Sequence, residues 1–277
     1  MKINRVKQAL KAGESVVGTM IHEARSPEIP HLLAAAGMDF ILVDTEHASP
    51  DPETIQNLTR GAKAAGLVPL ARVTDNEYFL IARTLDMGVM GVMVPRVDTR
   101  KEAERAIASV KYPPQGRRGF GMRPVITDYA STTVQEAIKW SNENTLVILQ
   151  VESEEAIENL DEITRVPGLD VSLIGLNDLS ISLGVPGEFK HKRVLKAIER
   201  VFEVCTKNGV SPAIWLPVET SSQIPLHNSI IEAANLYQEM GMRFFMVGTE
   251  SQLLQRAATD VVQALVGETR RAGKTPL

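Results

Sequence analysis

Three side chains capable of acid–base chemistry follow one short apolar run. Asp44, Glu46 and His47 come directly after the run 40–43 and precede a Ser-Pro-Asp-Pro break. An uninterrupted apolar run of this length is typical of a buried parallel strand, so these polar groups are expected at its carboxyl end. Imidazole titrates near neutral pH, which makes His47 the best candidate for a general base, with Asp44 and Glu46 close enough to orient it. The alternative is that a strand simply leaves the core here through polar residues.

Two later apolar runs end in amides and carboxylates. Gln150 and Glu152 are two residues apart, so both side chains point to the same face of their strand. Asn177 and Asp178 follow the next run and open a helical turn, where backbone N–H groups can bind a carboxylate. Glu152 and Asp178 together supply hard oxygen ligands, which suit Mg²⁺, Mn²⁺ or Co²⁺. The alternative is that one or both carboxylates pair with an arginine.

Arginines and a second histidine lie near the same strand ends. Arg72 ends another strand, where a guanidinium is costly unless it pairs with a carboxylate or binds an anionic substrate oxygen. His22 ends the first strand and can also reach this region. Arg117, Arg118 and Arg123 lie in a long glycine-rich loop and can bind a distal carboxylate or phosphate, although a solvated basic loop is an equal alternative. No lysine lies at a strand end, which disfavours a Schiff-base mechanism.

Strand patterns alternate with helix patterns along the whole chain. The predicted strands are residues 15–22, 40–44, 67–73, 91–97, 145–152, 169–175, 211–216 and 244–248. The predicted helices are residues 2–12, 27–36 (with Ser26 as N-cap), 52–65, 76–87, 99–110, 133–142, 154–165, 179–183, 191–208, 230–240 and 252–271. Eight such units favour an α/β fold with a closed parallel sheet, a (β/α)8 barrel that forms a single domain over residues 1–277. In such a barrel the carboxyl ends of the strands meet at one mouth, so the side chains above are expected to converge.

Charge and composition exclude several kinds of partner. The net charge of −4 provides no basic field for nucleic acid or an anionic membrane. The longest apolar runs fall far short of the roughly 20 residues that span a bilayer, and the first residues lack an apolar signal core. Cys205 is the only cysteine, so there is no disulfide framework and no cysteine metal cluster. We therefore expect a cytoplasmic protein that binds a small molecule.

Taken together, the motifs resemble those of the HpcH/HpaI family of class II, metal-dependent pyruvate aldolases. The matching segments are Asp-Thr-Glu-His (44–47), Leu-Ala-Arg-Val (70–73), Val-Pro (94–95), Tyr-Pro-Pro-Gln-Gly-Arg-Arg-Gly (112–119), Gln-Val-Glu (150–152), Ile-Gly-Leu-Asn-Asp-Leu-Ser (174–180) and Leu-Gly (183–184). The resemblance covers nearly the whole chain and implies a TIM barrel of the phosphoenolpyruvate/pyruvate superfamily. It also implies reversible cleavage of a 4-hydroxy-2-oxo or 2-oxo-3-deoxy acid to pyruvate and an aldehyde, with a divalent metal ion.

The resemblance assigns the metal and pyruvate contacts to five residues. Glu152 and Asp178 correspond to the metal ligands, and the backbone at Asn177 and Asp178 corresponds to the cradle for the pyruvate carboxylate. Arg72 corresponds to the arginine that binds the keto oxygen and stabilises the enolate, and Gln150 lies beside the same site.

The resemblance also implies catalytic and quaternary features. His47 corresponds to the catalytic histidine, with Asp44 as its acidic neighbour. Asp86 corresponds to an acidic position near a neighbouring subunit's site. The family forms hexamers, as trimers of dimers, in which the last helix is exchanged between subunits.

Departures from the family pattern cluster in two segments, 122–129 and 213–228, and Leu176 stands where a proline is usual. They surround the mouth, where the aldehyde part of a substrate would bind. The sequence therefore does not determine which aldehyde the protein uses. Two other functions therefore remain as alternatives. One is oxaloacetate decarboxylation or another C–C bond-forming reaction through the same enolate. The other is a non-catalytic oligomer that binds a 2-oxo acid.

Overall fold

Eight parallel strands close into a barrel in the computed structural model, which describes residues 1–121, 123–218 and 226–266. The strands are β1 (Val16–Ile21), β2 (Phe40–Asp44), β3 (Val68–Arg72), β4 (Gly91–Val94), β5 (Leu146–Val151), β6 (Val171–Ile174), β7 (Ser211–Leu216) and β8 (Phe244–Thr249). Each strand pairs with the next one along the chain, and β8 pairs with β1 to close the sheet. The predicted (β/α)8 barrel is therefore confirmed.

Helices surround the barrel and connect its strands. They are α1 (Arg5–Lys11), α2 (Ile29–Ala35), α3 (Pro52–Ala65), α4 (Tyr78–Asp86), α5 (Arg100–Val110), α6 (Val134–Asn144), α7 (Glu154–Glu158), α8 (Leu160–Thr164), α9 (Leu176–Ser182), α10 (Lys192–Lys207), α11 (Leu226–Glu239) and α12 (Glu250–Val266). Among the helices described, none has the length and apolar character needed to cross a membrane.

Some helix predictions were wrong in detail. The predicted helix 154–165 is two short helices that meet at Asn159, whose side-chain amide donates a 2.9 Å hydrogen bond to the Asp98 carbonyl. The N-cap position of α2 is Glu28 rather than Ser26, because the chain becomes helical only at Ile29. Helix α11 begins four residues before its predicted start. The predicted end of the last helix, 267–271, and most of the segment 213–228 after Val218 lie outside the described residues.

The barrel interior is filled by every second residue of each strand. On β2, Phe40 and Leu42 belong to the inner cluster, whereas Ile41 and Val43 pack with the helices. The ring of Phe40 stacks on that of Phe244 with centroids 4.4 Å apart. Gly18 on β1 makes room for this ring, because a Cβ atom there would collide with Phe40.

The same two-residue period determines which polar side chains face inward at the mouth. Asp44 follows Leu42 on the inner face of β2, and Arg72 follows Leu70 on β3. Gln150 follows Ile148 on β5. These residues lie at the carboxyl ends of their strands, so the fold delivers a carboxylate, a guanidinium and an amide to one end of the barrel.

Candidate active site

A cavity of about 180 Å³ opens at the carboxyl ends of the strands. Its walls within the barrel are apolar and include Met20, Met93, Met246 and Trp215. Its polar lining residues are His22, His47, Arg72, Gln150, Asn177 and Asp178. All of these except His22 are predicted site residues, so the structure brings together most of the predicted set.

Asp44 and Arg72 form a bidentate ion pair beneath this cavity. Arg72 Nε and Nη2 each donate a 2.7 Å hydrogen bond to the Asp44 carboxylate. Asp44 is completely buried and also accepts a 3.0 Å hydrogen bond from the backbone N–H of Glu46. Because the two residues end adjacent strands in register, the fold itself brings the pair into contact.

The electrostatics of the pair favour its charged form. Burial acts to raise the pKa of Asp44, but hydrogen bonds from His22 and Arg72 and the charge of Arg72 outweigh it and hold this pKa below its usual range. Burial also opposes the charge of Arg72, yet Asp44, Glu46 and Glu152 raise its pKa above the ordinary value. Both groups are therefore ionised at neutral pH.

Glu46 links two arginines at the rim. Its carboxylate lies 3.1 Å from Arg72 Nη1 and 3.1 Å from Arg96 Nη1. Burial raises the pKa of Glu46, against the charges of Arg72, His47 and Arg96. The sequence prediction placed Glu46 beside His47, but the side chain mainly supports Arg72.

Glu152 is a buried carboxylate, and each of its two oxygens accepts a hydrogen bond from an amide N–H. Its Oε1 accepts a 2.9 Å hydrogen bond from the backbone N–H of Arg96, and its Oε2 accepts one from Gln150 Nε2. Arg96 has φ +50, a left-handed conformation that aims this N–H at Glu152. Burial raises the pKa of Glu152 to about 7, with the charge of Asp178 adding to the rise and the Arg96 hydrogen bond opposing it.

The space beside Glu152 is kept open by a glycine. A Cβ atom on Gly175 would collide with Glu152 Oε2 and lie 2.8 Å from Gln150 Nε2. Gln150 Oε1 is buried and, among the residues described, has no hydrogen-bond partner. A buried carbonyl oxygen without a partner is costly, so this atom is suited to bind a ligand or water in the cavity.

Asn177 and Asp178 lie in the first turn of α9, which begins earlier than predicted, at Leu176. Both residues are exposed and line the cavity.

The described residues contain no cluster of three or more His, Cys, Asp or Glu side chains that could hold a metal ion. Glu152 and Asp178 still fit a hard divalent cation, because such ions are often held by one or two carboxylates with water and substrate oxygens completing the shell. The cation would also offset the unfavourable proximity of two negative charges.

Two histidines reach the cavity, in different settings. The side chain of His47 is 61% exposed, and its Nε2 lies 4.0 Å from Glu46 Oε2. Its connection to Asp44 is through the backbone, whose N–H donates a 3.3 Å hydrogen bond. The imidazole that contacts the Asp44 carboxylate is that of His22, at 3.0 Å.

Asp86 does not join this cavity within one chain. It lies on a separate surface groove beside Tyr78 and Phe79, and its carboxylate accepts a 2.6 Å hydrogen bond from Arg118 Nη2. This separation is compatible with the predicted role at a neighbouring subunit's site and does not test it.

Sequence reasoning missed several residues that shape the site. Gly175 and Trp215 carry no obvious chemical signal, and their importance depends on contacts across strands. Met93 and Met246 belong to the inner apolar cluster of the barrel and also line the cavity. The two-residue period of a strand could have identified Trp215, because this residue lies two positions after the inward-facing Ala213 on β7.

Known proteins resemble this chain in sequence and in fold. The family described as HpcH/HpaI aldolase/citrate lyase matches residues 20–224. The 5-keto-4-deoxy-D-glucarate aldolase of Shigella boydii is 32% identical over 254 residues, which cover 92% of this chain and 93% of that protein. An HpcH/HpaI aldolase from Desulfitobacterium hafniense has a solved structure with a TM-score of 0.85 and 29% identity, covering 94% of this chain and 95% of that one.

A second solved structure, the citrate synthase SbnG, has a TM-score of 0.80 and 29% identity and covers 97% of this chain and 98% of that one. These neighbours share the barrel fold and differ in the reactions that their names describe. The match of the family over most of the chain and the close agreement in length with an aldolase relative establish that this protein belongs to the HpcH/HpaI aldolase/citrate lyase family and is a carbon–carbon lyase.

Proposed function

We infer that this protein is a metal-dependent aldolase. It reversibly cleaves a 4-hydroxy-2-oxo or 2-oxo-3-deoxy acid into pyruvate and an aldehyde, through a pyruvate enolate. The observation that carries this proposal is the buried Arg72–Asp44 pair next to the carboxylates of Glu152 and Asp178. That arrangement offers positive charge for a developing oxyanion and two anionic ligands for a cation.

Arg72 retains donors for a substrate oxygen. A guanidinium has five N–H donors. Three of its N–H groups face carboxylates: Nε and Nη2 face Asp44, and Nη1 faces Glu46. The second N–H of Nη2 faces Met20 Sδ at 3.9 Å, which is a weak acceptor. One N–H of Nη1 and this weakly bound N–H are therefore available to a substrate oxygen, and the side chain lines the cavity. A fixed charge held by two buried carboxylates stabilises an enolate oxygen without having to reorganise during the reaction.

Glu152 and Asp178 would hold the divalent ion, for which Mg²⁺, Mn²⁺ and Co²⁺ are the candidates. When bound, such an ion supplies Lewis acidity at the carboxylate and keto oxygens of the substrate. Gln150, whose buried Oε1 has no hydrogen-bond partner within the described part of the chain, lines the same cavity. The N–H groups at the start of α9, at Asn177 and Asp178, are available to the substrate carboxylate because the first turn of a helix leaves its N–H groups without helical partners.

The cleavage also requires a base for the 4-hydroxyl proton. Among side chains, an imidazole suits this step at neutral pH. His47, the residue predicted from the family resemblance, lines the cavity, and so does His22.

The proposal is tested by measuring pyruvate release from a panel of 4-hydroxy-2-oxo acids with metal-loaded and chelator-treated protein. We expect Glu152→Ala to lose Mn²⁺ binding in calorimetry and Arg72→Ala to keep it while losing turnover. Glu203→Ala, at an exposed position of α10, is the matched control. Metal-independent cleavage, or full activity of the Arg72 variant, would contradict the mechanism.

A carbon–carbon bond-forming reaction is the second candidate. The solved citrate synthase SbnG matches nearly the whole chain at 29% identity, and the same enolate chemistry runs in that direction. Incubation with oxaloacetate and product analysis separates the possibilities, because decarboxylation yields pyruvate and CO₂ whereas condensation consumes a second carbonyl compound.

We also propose that the protein is a homohexamer, a trimer of dimers in which α12 is exchanged between subunits. Helix α12 carries four large apolar side chains that are each more than half exposed: Leu254, Val261, Val262 and Leu265. An apolar face of this kind is typical of a subunit interface. In the hexamer Asp86 would lie near a neighbouring subunit's cavity. A monomer mass in light scattering at micromolar concentration would contradict the assembly. The cytoplasmic location expected from the sequence stays a prediction.

A further inference from the structure

A second cavity opens at the amino ends of the strands, at the opposite end of the barrel from the active-site cavity. Its volume is about 570 Å³, and it lies between α1, the carboxyl ends of α5 and α6, and the residues that begin or precede β5, β6 and β7. Its charged lining residues are Lys7, Lys11, Lys111, Glu143 and Asp170. None of the described residues proposed for the aldol chemistry lines it, so that reaction does not account for this cluster.

Two of the lysines are buried and bind the same carbonyl oxygen. Lys7 Nζ donates a 2.9 Å hydrogen bond to the Thr145 carbonyl, and Lys111 Nζ donates a 3.0 Å hydrogen bond to the same oxygen. Lys111 also donates a 2.7 Å hydrogen bond to the Asn142 carbonyl. Two ammonium groups that share one acceptor lie close together, and in a buried setting their like charges repel each other.

One carboxylate compensates this buried pair. Asp170 lies 2.8 Å from Lys7 Nζ, whereas none of the described carboxylates forms an ion pair with Lys111. Lys11 and Glu143 are exposed at the rim, and their formal charges cancel. With both buried lysines protonated, the cavity therefore carries an excess of one positive charge, which an anion would neutralise.

The protonation of Lys111 responds to this excess of charge. Burial and the charges of Lys7 and Lys11 lower the pKa of Lys111 to about 7, while the charge of Asp170 acts in the opposite sense. Without a ligand, the amine is therefore largely neutral at pH 8. An anion beside it favours the ammonium form, so anion binding at this pH must take up a proton.

The donors at this cavity suit a phosphate group. An ammonium group has three N–H donors, and Lys7 and Lys111 each use two of them on protein acceptors, which leaves one on each. The buried hydroxyl of Ser211, another lining residue, has no hydrogen-bond partner in the part of the chain that the structure describes.

The charge of the cavity favours a dianion over a monoanion. The attraction to two buried ammonium groups grows with the charge of the ligand. Lysine binds phosphate as a compact point charge, whereas the fork of an arginine matches a planar carboxylate, and the described lining contains no arginine. The volume lies in the range of sites for small organic molecules, so the cavity has room for more than the phosphate group.

We propose that this cavity binds a phosphate group, free or carried by a small organic molecule, between Lys7 and Lys111. The phosphate oxygens accept hydrogen bonds from the two ammonium groups, and Lys111 takes its proton from the solvent. This function is independent of the proposed aldolase reaction, because the cavity lies at the other end of the barrel.

The experiment is calorimetric titration of the full chain with sulfate, in two buffers that differ in ionisation enthalpy. Sulfate remains a dianion at pH 6 and pH 8, so any proton taken up on binding comes to the protein. We expect uptake of about one proton per sulfate at pH 8 and almost none at pH 6, where Lys111 is already protonated. Binding at pH 8 without proton uptake would overturn the proposal.

Three variants assign the binding to this cavity. Lys111→Met should weaken sulfate binding by about 10- to 100-fold and abolish proton uptake, because it removes a charged hydrogen-bond donor. Lys139→Met, at an exposed position of α6 outside the cavity, is the matched control. Lys11→Met should weaken binding by only about two- to fivefold, and its exposed position leaves folding intact even if Lys111→Met does not fold.

Further ligands identify the source of the phosphate group. Inorganic phosphate and glycerol phosphate should both bind more tightly than acetate, and tighter binding of glycerol phosphate than of inorganic phosphate would identify an organic ligand. Equal affinities of these two would identify the free ion. The proposal is overturned if acetate binds as tightly as phosphate, if Lys11→Met and Lys111→Met both bind sulfate like the wild type, or if no sulfate binds.

Discussion

Replacing Asp44 by asparagine removes the charge that neutralises Arg72 in the interior. The variant keeps the shape of the side chain but weakens two 2.7 Å hydrogen bonds and the 3.0 Å contact with His22. Arg72 is then left buried, with Glu46 at 3.1 Å as its remaining ion-pair partner among the described residues and Glu152 acting on it from farther away. The structure therefore predicts losses of both stability and activity.

The size of the stability loss follows from burial. Breaking a buried ion pair by removing one partner costs about 3–5 kcal/mol, because the remaining charge is uncompensated. With an unfolding entropy of roughly 2.1 cal/mol/K per residue, this corresponds to a decrease in Tm of about 5–9 °C for a chain of this length. The pKa of Asp44 lies below its usual range, so this stabilisation is present above pH 3.8, the ordinary value for aspartate, and is lost only as pH falls below it. The destabilisation of the variant relative to the wild type should therefore persist at both pH 6 and pH 8.

The assay is urea and thermal unfolding followed by circular dichroism at one fixed protein concentration, since assembly adds to apparent stability. Glu104→Gln is the matched control, because its ion pair with Arg100 is exposed to solvent and contributes little to stability. Adding Arg72→Met to the Asp44 variant should recover part of the stability, since it removes the unpaired charge. An Asp44→Asn protein within about 1 kcal/mol of the wild type would refute the reasoning.

Three further predictions concern the site, the base of the barrel and the assembly. Gly175→Ala should lower kcat/KM by about 10²-fold, because its Cβ displaces Glu152, with little change in Tm, and an unaffected enzyme would mean that Glu152 need not occupy this position. Lys111 is buried against the carbonyls of Asn142 and Thr145, and burial lowers its pKa to about 7, so the stability it contributes is complete above pH 10.5 and is lost as pH falls to 7. Urea unfolding should therefore show stability increasing with pH across that window more steeply in the wild type than in Lys111→Met, and parallel curves would refute the shift. Leu254→Asp should reduce the assembled mass in light scattering, and an unchanged mass would exclude this face of α12 from the interface.

Strand ends were predictable from local patterns, whereas the contacts between them were not. The run 40–43 identifies β2, and the spacing of Gln150 and Glu152 correctly places both on one face. Which carboxylate meets which cation depends on register, which no local pattern encodes. The contact of His22 with Asp44 joins residues 22 positions apart on adjacent strands and became visible only in the barrel.

The predictions of helix ends were wrong for a related reason. The break at Asn159 depends on a hydrogen bond to Asp98, which is 61 residues away. Tertiary contacts of this kind override local helix propensity. The predicted roles of His47 and Asp86 likewise depend on the bound substrate and on neighbouring subunits, which the fold of one chain does not determine.

Exchange of pyruvate methyl protons in D₂O, followed by proton NMR, tests the enolate chemistry most directly, because it requires neither the aldehyde nor its identity. The protein loaded with Mg²⁺ or Co²⁺ should catalyse loss of the methyl signal, and a chelator or the Arg72→Ala substitution should stop it. A well-folded, metal-loaded protein that binds pyruvate and leaves its methyl protons unexchanged would contradict the account.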